Sequence, residues 1–266
     1  MAGKKRLDLI LVERGLAETR ARARSLIMAG QAMVNGETVD KAGFLIAEGT
    51  VVSLREPNPY VSRGGLKLAK AIDEFGLEVG GRIVLDVGAS TGGFTDCCLQ
   101  SGAVLVYAVD VGYGQLAWKL REDERVINLE RTNIRHLQAQ AFTAGVPDFC
   151  CIDVAFISLR LVLPVIARLL APPAEVVMLI KPQFEAGREQ VGKKGVVRDP
   201  EIHVQVLDSV LTVARKEGFY LSHLDFSPIQ GPQGNIEYLA HGGFDSRFSS
   251  NPPTPAEVVD AAQANF

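Results

Sequence analysis

The residues best suited to chemistry in this chain fall in two sets. The first is the turn Asp86-Val87-Gly88-Ala89-Ser90-Thr91-Gly92-Gly93-Phe94-Thr95-Asp96, which follows an apolar run. Glycines there let the backbone approach a ligand and adopt positive φ. A helix opening behind the turn offers free N-terminal amides. Asp110 closes the next apolar run, where in a doubly wound sheet an acid can accept hydrogen bonds from a ribose diol. A dinucleotide turn would read G-x-G-x-x-G, which Gly88, Gly92 and Gly93 do not match, and a phosphate loop would need Lys where Phe94 stands. The second set is four charged residues. Asp153 ends the run Asp148-Phe149-Cys150-Cys151-Ile152, and Lys181 ends another over 176–180. If those strands are parallel, both charges face one crevice. Lys67 lies on the polar side of a helix before the first strand, and Glu237 follows Gly234-Asn235-Ile236. A solvated charge is the competing reading for each of the four, and it is weakest for Asp153 and Lys181, whose neighbours are apolar.

These residues need a scaffold, and the sequence outlines one. Helices are predicted at 7–15 and 19–30, then short strands at 32–35, 38–39 and 50–54, with Asn35-Gly36 as a two-residue hairpin turn. Glu56-Pro57-Asn58-Pro59-Tyr60 reads as a linker, because its prolines disfavour helix and central strand. Beyond it, helix and strand alternate: helix 65–75, strand 82–87, helix 95–101, strands 104–110, 126–128 and 148–153, helix 159–170, strand 175–181, helix 203–217 and strand 220–228. Such alternation predicts an α/β fold with a mostly parallel, doubly wound sheet. The runs are apolar throughout, as expected of strands buried on both faces. Thr254-Pro255-Ala256-Glu257 has the form of a capping box opening a last helix. The organisation is therefore a small α+β domain over 1–56, a linker over 57–61, a large α/β domain over 62–248, and a proline-rich segment with a short helix over 249–266.

The form D-x-G-x-x-x-G-G-F resembles the first motif of S-adenosylmethionine-dependent methyltransferases. The order Lys67, Asp153, Lys181, Glu237 resembles the Lys-Asp-Lys-Glu tetrad of the FtsJ-like ribose 2′-O-methyltransferases. Longer strings extend the likeness: residues 60–68 (Tyr-Val-Ser-Arg-Gly-Gly-Leu-Lys-Leu), 153–159, 180–185 and 234–237 are similar to the TlyA family, older databases calling its members hemolysin A. Ala155 stands where that family commonly has Ser. Residues 6–54 resemble the RNA-binding (alpha-L) domain named after the fourth protein of the small ribosomal subunit, through Arg6-Leu7-Asp8, Arg14-Gly15-Leu16, Arg20, Ala23, Leu26-Ile27, Gly30 and Val34-Asn35-Gly36.

The resemblance implies a Rossmann-like methyltransferase that takes S-adenosylmethionine and methylates a ribose, a cytidine in ribosomal RNA. It implies cofactor contacts at Asp86, Gly88, Ala89, Ser90, Thr91, Gly92, Gly93, Phe94, Asp110, Val111, Asn133, Ile134 and Asp153, with Asn133 meeting adenine. The methyl sulfonium is already electrophilic, so the enzyme must mainly position and activate the 2′-hydroxyl. Lys181 is expected to accept its proton or stabilise the alkoxide. Asp153 would hold Lys181, while Lys67 and Glu237 orient Lys181 and the ribose. RNA contacts are expected at Lys4, Lys5, Arg6, Arg20, Arg22, Arg24, Arg63, Lys193, Lys194 and Arg198. Ribosomal RNA or a ribosomal subunit is then the expected partner.

Composition narrows the alternatives. The net charge of −3 excludes a uniformly basic nucleic-acid binder, yet residues 1–56 carry nine Lys or Arg against seven acids. Cys97-Cys98 and Cys150-Cys151 lack metal-ligand spacing and read as reduced core thiols, so no metal is expected. Neither a signal peptide nor an apolar run of the length needed to span a bilayer is evident, which predicts a cytoplasmic protein without membrane partners. Four other readings compete. A small-molecule O-methyltransferase has no use for the N-terminal module. The intact cofactor turn opposes both a non-catalytic assembly factor and a pseudouridine synthase. A pore-forming hemolysin lacks a secretion signal.

Overall fold

A computed structural model describes residues 4–55, 58–170, 172–248 and 250–266. Glu56 and Pro57 of the expected linker, and Ser249, lie outside the described residues. The chain divides into two units, Met1–Pro59 and Tyr60–Phe266.

The first unit opens with β1 (Lys5–Arg6), α1 (Leu7–Glu13) and α2 (Arg20–Met28). It continues with β2 (Ala32–Val34), β3 (Glu37–Thr38), β4 (Leu45–Ile46) and β5 (Val52–Leu54). Thr19 caps α2 by accepting from the Arg22 amide, as its hydroxyl should at an N-cap. Asn35 and Gly36 both have positive φ, the requirement of the tight hairpin joining β2 to β3. Strand order is β3-β2-β5, and β1 pairs antiparallel with β4. Leu7, Ile10 and Leu11 of α1 and Ala23, Leu26 and Ile27 of α2 face a small core of their own. That is the helical periodicity read from the sequence.

The second unit contains α3 (Gly64–Phe75), β6 (Ile83–Val87), α4 (Gly93–Gln100), β7 (Leu105–Val109) and α5 (Trp118–Arg121). Then come β8 (Val126–Leu129), β9 (Phe149–Ile152), α6 (Leu159–Leu169), β10 (Glu175–Ile180) and α7 (Pro182–Glu185). It closes with α8 (Pro200–Lys216), β11 (Tyr220–Phe226), β12 (Tyr238–Gly243) and α9 (Pro255–Asn265). One seven-stranded sheet has the order β11-β12-β10-β9-β6-β7-β8. The five strands from β10 to β8 are parallel, and β12 runs antiparallel to both β10 and β11. Successive side chains of a strand face opposite ways. Leu85 and Val87 accordingly join the core beneath α6, α8 and α9, while Val84 joins the core beneath α3, α4 and α5.

Three features depart from the sequence reading. The run at 220–228 is antiparallel, and β12, absent from that reading, inserts between it and β10. Helix α8 begins at Pro200 behind an Asp199 cap rather than at His203. Tyr60 and Val61, expected in the linker, pack against the core of the second unit, and the Val61 amide donates to Asp96.

The parallel strands require long crossovers, and one of them is tied to the sheet by a single phenol. The Tyr107 hydroxyl of β7 accepts from the Ala144 amide at 2.8 Å and donates to the Gly145 carbonyl at 3.1 Å. Tyr107→Phe strands both backbone groups. Its expected cost is about 1–3 kcal/mol in chemical denaturation, with secondary structure unchanged.

Candidate active site

The carboxyl ends of β6, β7, β9 and β10 meet along one edge of the parallel sheet. The turn after β6 accepts no bulk at Gly88, whose φ is +87° and whose added Cβ would lie 2.4 Å from the Asp153 carbonyl oxygen. The two strand ends therefore touch, backbone to backbone. The amides of Gly88 and Ala89 donate to Val109, and the Asp153 amide donates to Val87.

Two adjoining clefts open over this junction and share Gly88, Ser90, Asp153 and Ala155. The larger, about 710 Å³, runs over the ends of β6 and β7. Apolar Val111, Ile134, Phe156 and Leu161 line it, together with polar Asp110, Gln115 and Asn133. The smaller, about 370 Å³, is lined by Ser62, Arg63, Lys67, Lys181, the glycine turn and residues 229–232.

All four tetrad residues gather at this edge as two ion pairs. Lys181, at the end of β10, pairs with Asp153, at the end of β9. Lys67, from the second turn of α3, lies 2.5 Å from Glu237, which immediately precedes β12. Lys67 and Glu237 are buried. Glu237 is confined further: a Cβ on Gly231 would collide with its Oε1. Gln183, two residues beyond Lys181, approaches that same oxygen with Nε2 at 3.5 Å. Burial of this much charge is tolerable only in pairs, because removing one partner strands the other.

The cofactor residues named from the sequence divide. Gly88, Ala89, Ser90, Thr91, Gly93 and Phe94 line the smaller cleft, and Asp110, Val111, Asn133 and Ile134 line the larger. Asp86 lines neither. It is fully buried behind the turn, accepting from the Thr95 hydroxyl at 2.6 Å, so it braces the turn from below. Gly92 also faces inward, with φ +94°, and a Cβ there would strike Leu120. Both Asp110 oxygens accept backbone hydrogen bonds, from Ser90 and Gly112. A diol would share those oxygens rather than find them free. Asn133 likewise spends its amide oxygen on the Arg135 amide, so an adenine amine would share that acceptor.

Among the basic residues, Arg63 lines the smaller cleft and donates to the Gln230 carbonyl. Lys193, Lys194 and Arg198 are exposed on the segment after Lys181, and Asn235 tethers that segment by donating to Gly195. In the first unit Lys4 and Arg22 are exposed, Lys5 pairs with Glu13, and Arg6, Arg20 and Arg24 converge on Asp8.

Three residues at the site escaped the sequence reading. Phe156 is 90 % exposed at the rim, has φ +62°, and packs against Phe184. An exposed phenylalanine in left-handed backbone is an outlier, and no local pattern announces it. Glu185 is buried and accepts from the Ser158 hydroxyl and the Leu159 amide, so it ties α7 to the start of α6. The Asp153 and Lys181 loops are thereby clamped together. Gln183 is the third. The four cysteines are free and buried, and no cluster able to hold a metal occurs among the described residues. No helix among them is long and apolar enough to cross a membrane.

The fold and this edge define an α/β methyltransferase. The FtsJ-like methyltransferase family matches residues 60–244, and the S4 domain matches residues 5–52. The chain belongs to the FtsJ-like methyltransferase family. It is 56 % identical to YqxC, a candidate rRNA methyltransferase of Bacillus subtilis, over 96 % of this chain and 92 % of that protein. It is 45 % identical to the 16S/23S rRNA (cytidine-2′-O)-methyltransferase TlyA of Mycobacterium tuberculosis, over 90 % of each. A solved structure from Streptococcus thermophilus, described as a candidate hemolysin, matches with a TM-score of 0.76 and 49 % identity over 100 % of this chain and 98 % of that one.

Asp86 provides a pH test. Burial pushes its carboxyl up to about 7, with the Thr95 hydroxyl opposing and the Asp153 charge adding to the rise. The unfolded chain releases this proton near 4 while the folded chain keeps it, so this group's contribution to stability falls as pH rises from about 4 to about 7. Asp86→Asn keeps the Thr95 contact and removes the titration. Its stability relative to wild type should climb across that window, by up to about 1.4 kcal/mol per pH unit in urea unfolding.

Proposed function

We propose that this chain transfers the methyl group of S-adenosylmethionine to the ribose 2′-hydroxyl of a cytidine in ribosomal RNA, working on rRNA or a ribosomal subunit in the cytoplasm. The observation that carries this reading is the paired tetrad beside the glycine turn. Lys181, Asp153 and Lys67 line the smaller cleft, buried Glu237 pairs with Lys67, and the cofactor-sized larger cleft meets the smaller one at Gly88. The names of the relatives supply the acceptor.

The larger cleft fits the cofactor in chemistry as well as size. Apolar Val111, Ile134, Phe156 and Leu161 suit an adenine ring, and the methionine portion would lie along the glycine turn, where Gly88, Ala89 and Ser90 line the smaller cleft. When bound, the cofactor supplies a methyl sulfonium, which needs no further activation. What remains for the protein is the nucleophile. Lys181, in the smaller cleft beside Asp153, holds the hydroxyl in line and takes its proton or stabilises the developing alkoxide. Asp153, which both clefts share, holds the Lys181 amine. The Lys67–Glu237 pair forms the opposite wall and orients the ribose. Arg63, at the same mouth, receives a phosphate of the incoming strand, and Lys193, Lys194 and Arg198 grip RNA beyond it. The N-terminal S4 unit holds RNA by its phosphates, which positions the substrate without reading its sequence.

Lys181→Met keeps the stem and removes the amine. Methyl transfer to ribosomal subunits or rRNA from a strain lacking this gene should fall by about 10²–10⁴-fold, with cofactor affinity within about threefold of wild type. Label incorporated by wild type should resist alkali, because a methylated 2′-oxygen cannot cleave its phosphodiester. Wild-type turnover by the variant sinks the assignment of Lys181. Failure of the wild-type chain to label any ribosomal RNA sinks the substrate.

A further inference from the structure

The N-terminal unit holds an ionic cluster where α1 meets α2. Asp8, in the first turn of α1, is 0 % exposed, an unusual place for a carboxylate. Arg6 binds it with both edges of one fork, Nε to Oδ1 and Nη2 to Oδ2, each at 3.0 Å. Arg20 donates Nε to Oδ2 at 3.0 Å, and Nε of Arg24, one turn further along α2, lies 3.5 Å from the same oxygen. Three guanidiniums thus surround one carboxylate, leaving two positive charges in excess. The Arg6 contact, with Arg20 behind it, holds Asp8 down to about 2, so the carboxylate is an anion throughout the neutral range. Arg6 has a second restraint: a Cβ on Gly43 would come within 3.2 Å of its Nη1, so the guanidinium lies against bare backbone.

The arginines nevertheless remain accessible. Their side chains are 37 %, 50 % and 55 % exposed. Asp8 occupies Nε and Nη2 of Arg6 but only Nε of Arg20. Donors of three planar forks are therefore left to the outside, at fixed mutual positions. Lys5, in contrast, is already paired with Glu13, both half exposed. Phosphate is the anion that such forks match best, through two parallel N–H···O bonds from each guanidinium. Most of the rotamer freedom an arginine would lose on binding is already lost on folding.

We propose that Asp8 is the internal counter-ion that locks Arg6, Arg20 and Arg24 into one rigid receptor for a backbone phosphate of RNA. This rests on the RNA-binding reading of the S4 unit and goes beyond it. It makes a buried acid a positioning residue for binding a polyanion, and it makes arrangement, rather than charge, the source of affinity. Two rival accounts predict different results. If the unit binds RNA only through its positive field, removing a negative charge tightens binding, and lysine replaces arginine without loss. If the cluster only staples α1 to α2, its loss lowers stability and leaves the affinity of the folded protein unchanged.

The test uses the full chain and a labelled RNA stem-loop, with anisotropy read across a salt series. Asp8→Asn should weaken binding about 10-fold and reduce the steepness of the salt dependence by about one phosphate contact. Arg20→Lys, which keeps the charge and loses the fork, should weaken it about 5-fold. S-adenosylmethionine affinity should be unchanged in both. Circular dichroism checks folding, and if Asp8→Asn unfolds the unit, Arg20→Lys decides. Tighter or unchanged binding by a folded Asp8→Asn, or unchanged binding by Arg20→Lys, overturns the proposal while leaving the RNA reading standing. Failure of the wild-type chain to bind the RNA overturns the RNA reading and this proposal with it.

Discussion

The site depends on the contact between the turn after β6 and the end of β9. Gly88 presses against the Asp153 carbonyl so closely that a methyl group has no place between them. Parallel pairing of β6 with β9 brings the two strand ends to the same level. The absence of a side chain at Gly88 then lets the turn fold over Asp153 rather than away from it. Everything proposed for the chemistry follows from that approach, since the cofactor turn and the acid that holds Lys181 become parts of one surface. Asp86 and Thr95 support it from below, and Glu185 clamps the neighbouring loops from the side.

The two ion pairs pose an energetic question. Buried salt bridges seldom stabilise a fold beyond what well-packed apolar residues would provide. Lys67 and Glu237 are buried, a position where leucine and methionine would cost less desolvation. Their presence is better explained by function. Paired charges in a partly dry cleft form a preorganised polar wall that need not reorganise when a hydroxyl is deprotonated. Opposite charges also hold each other in place, which fixes the geometry of a lysine whose stem would otherwise rotate freely.

The same logic recurs in the S4 unit with a different outcome. There a single buried carboxylate gathers three cations and leaves an excess of positive charge facing outward. In both units acids withdrawn from solvent arrange basic groups: half-buried Asp153 and buried Glu237 one lysine each, buried Asp8 three arginines. The weak overall charge of the N-terminal unit understates its capacity for phosphate, because the arrangement of the cations matters more than their number.

Much of this was legible in the sequence. Helical and strand periodicities, the Asn35-Gly36 hairpin and the Thr254–Glu257 capping box are local signals, set by residue type and spacing along the chain, while the tetrad was named through the resemblance to a family. Local signals do not report which strands become neighbours or which way a side chain turns at a strand end. The apolar run at 220–228 looks the same whether parallel or antiparallel, and β12, which ends in His241-Gly242-Gly243, carries no strong strand pattern. Asp86 and Gly92 share a motif with residues that line the clefts, yet alternation at the strand end and a left-handed glycine turn them inward. Lys67 and Glu237 are 170 residues apart and meet only because β12 inserts beside β10 under α3. Nothing local marks Asp8 as a charge cluster; α2 packs across it and brings Arg20 and Arg24 to its carboxylate. The sequence by itself determined most of the longer elements and the inventory of reactive groups, because those follow from short-range periodicity and chemistry. The tertiary structure alone decided which of those groups face one another, because pairing across the sheet and burial are set by contacts between residues far apart in the chain.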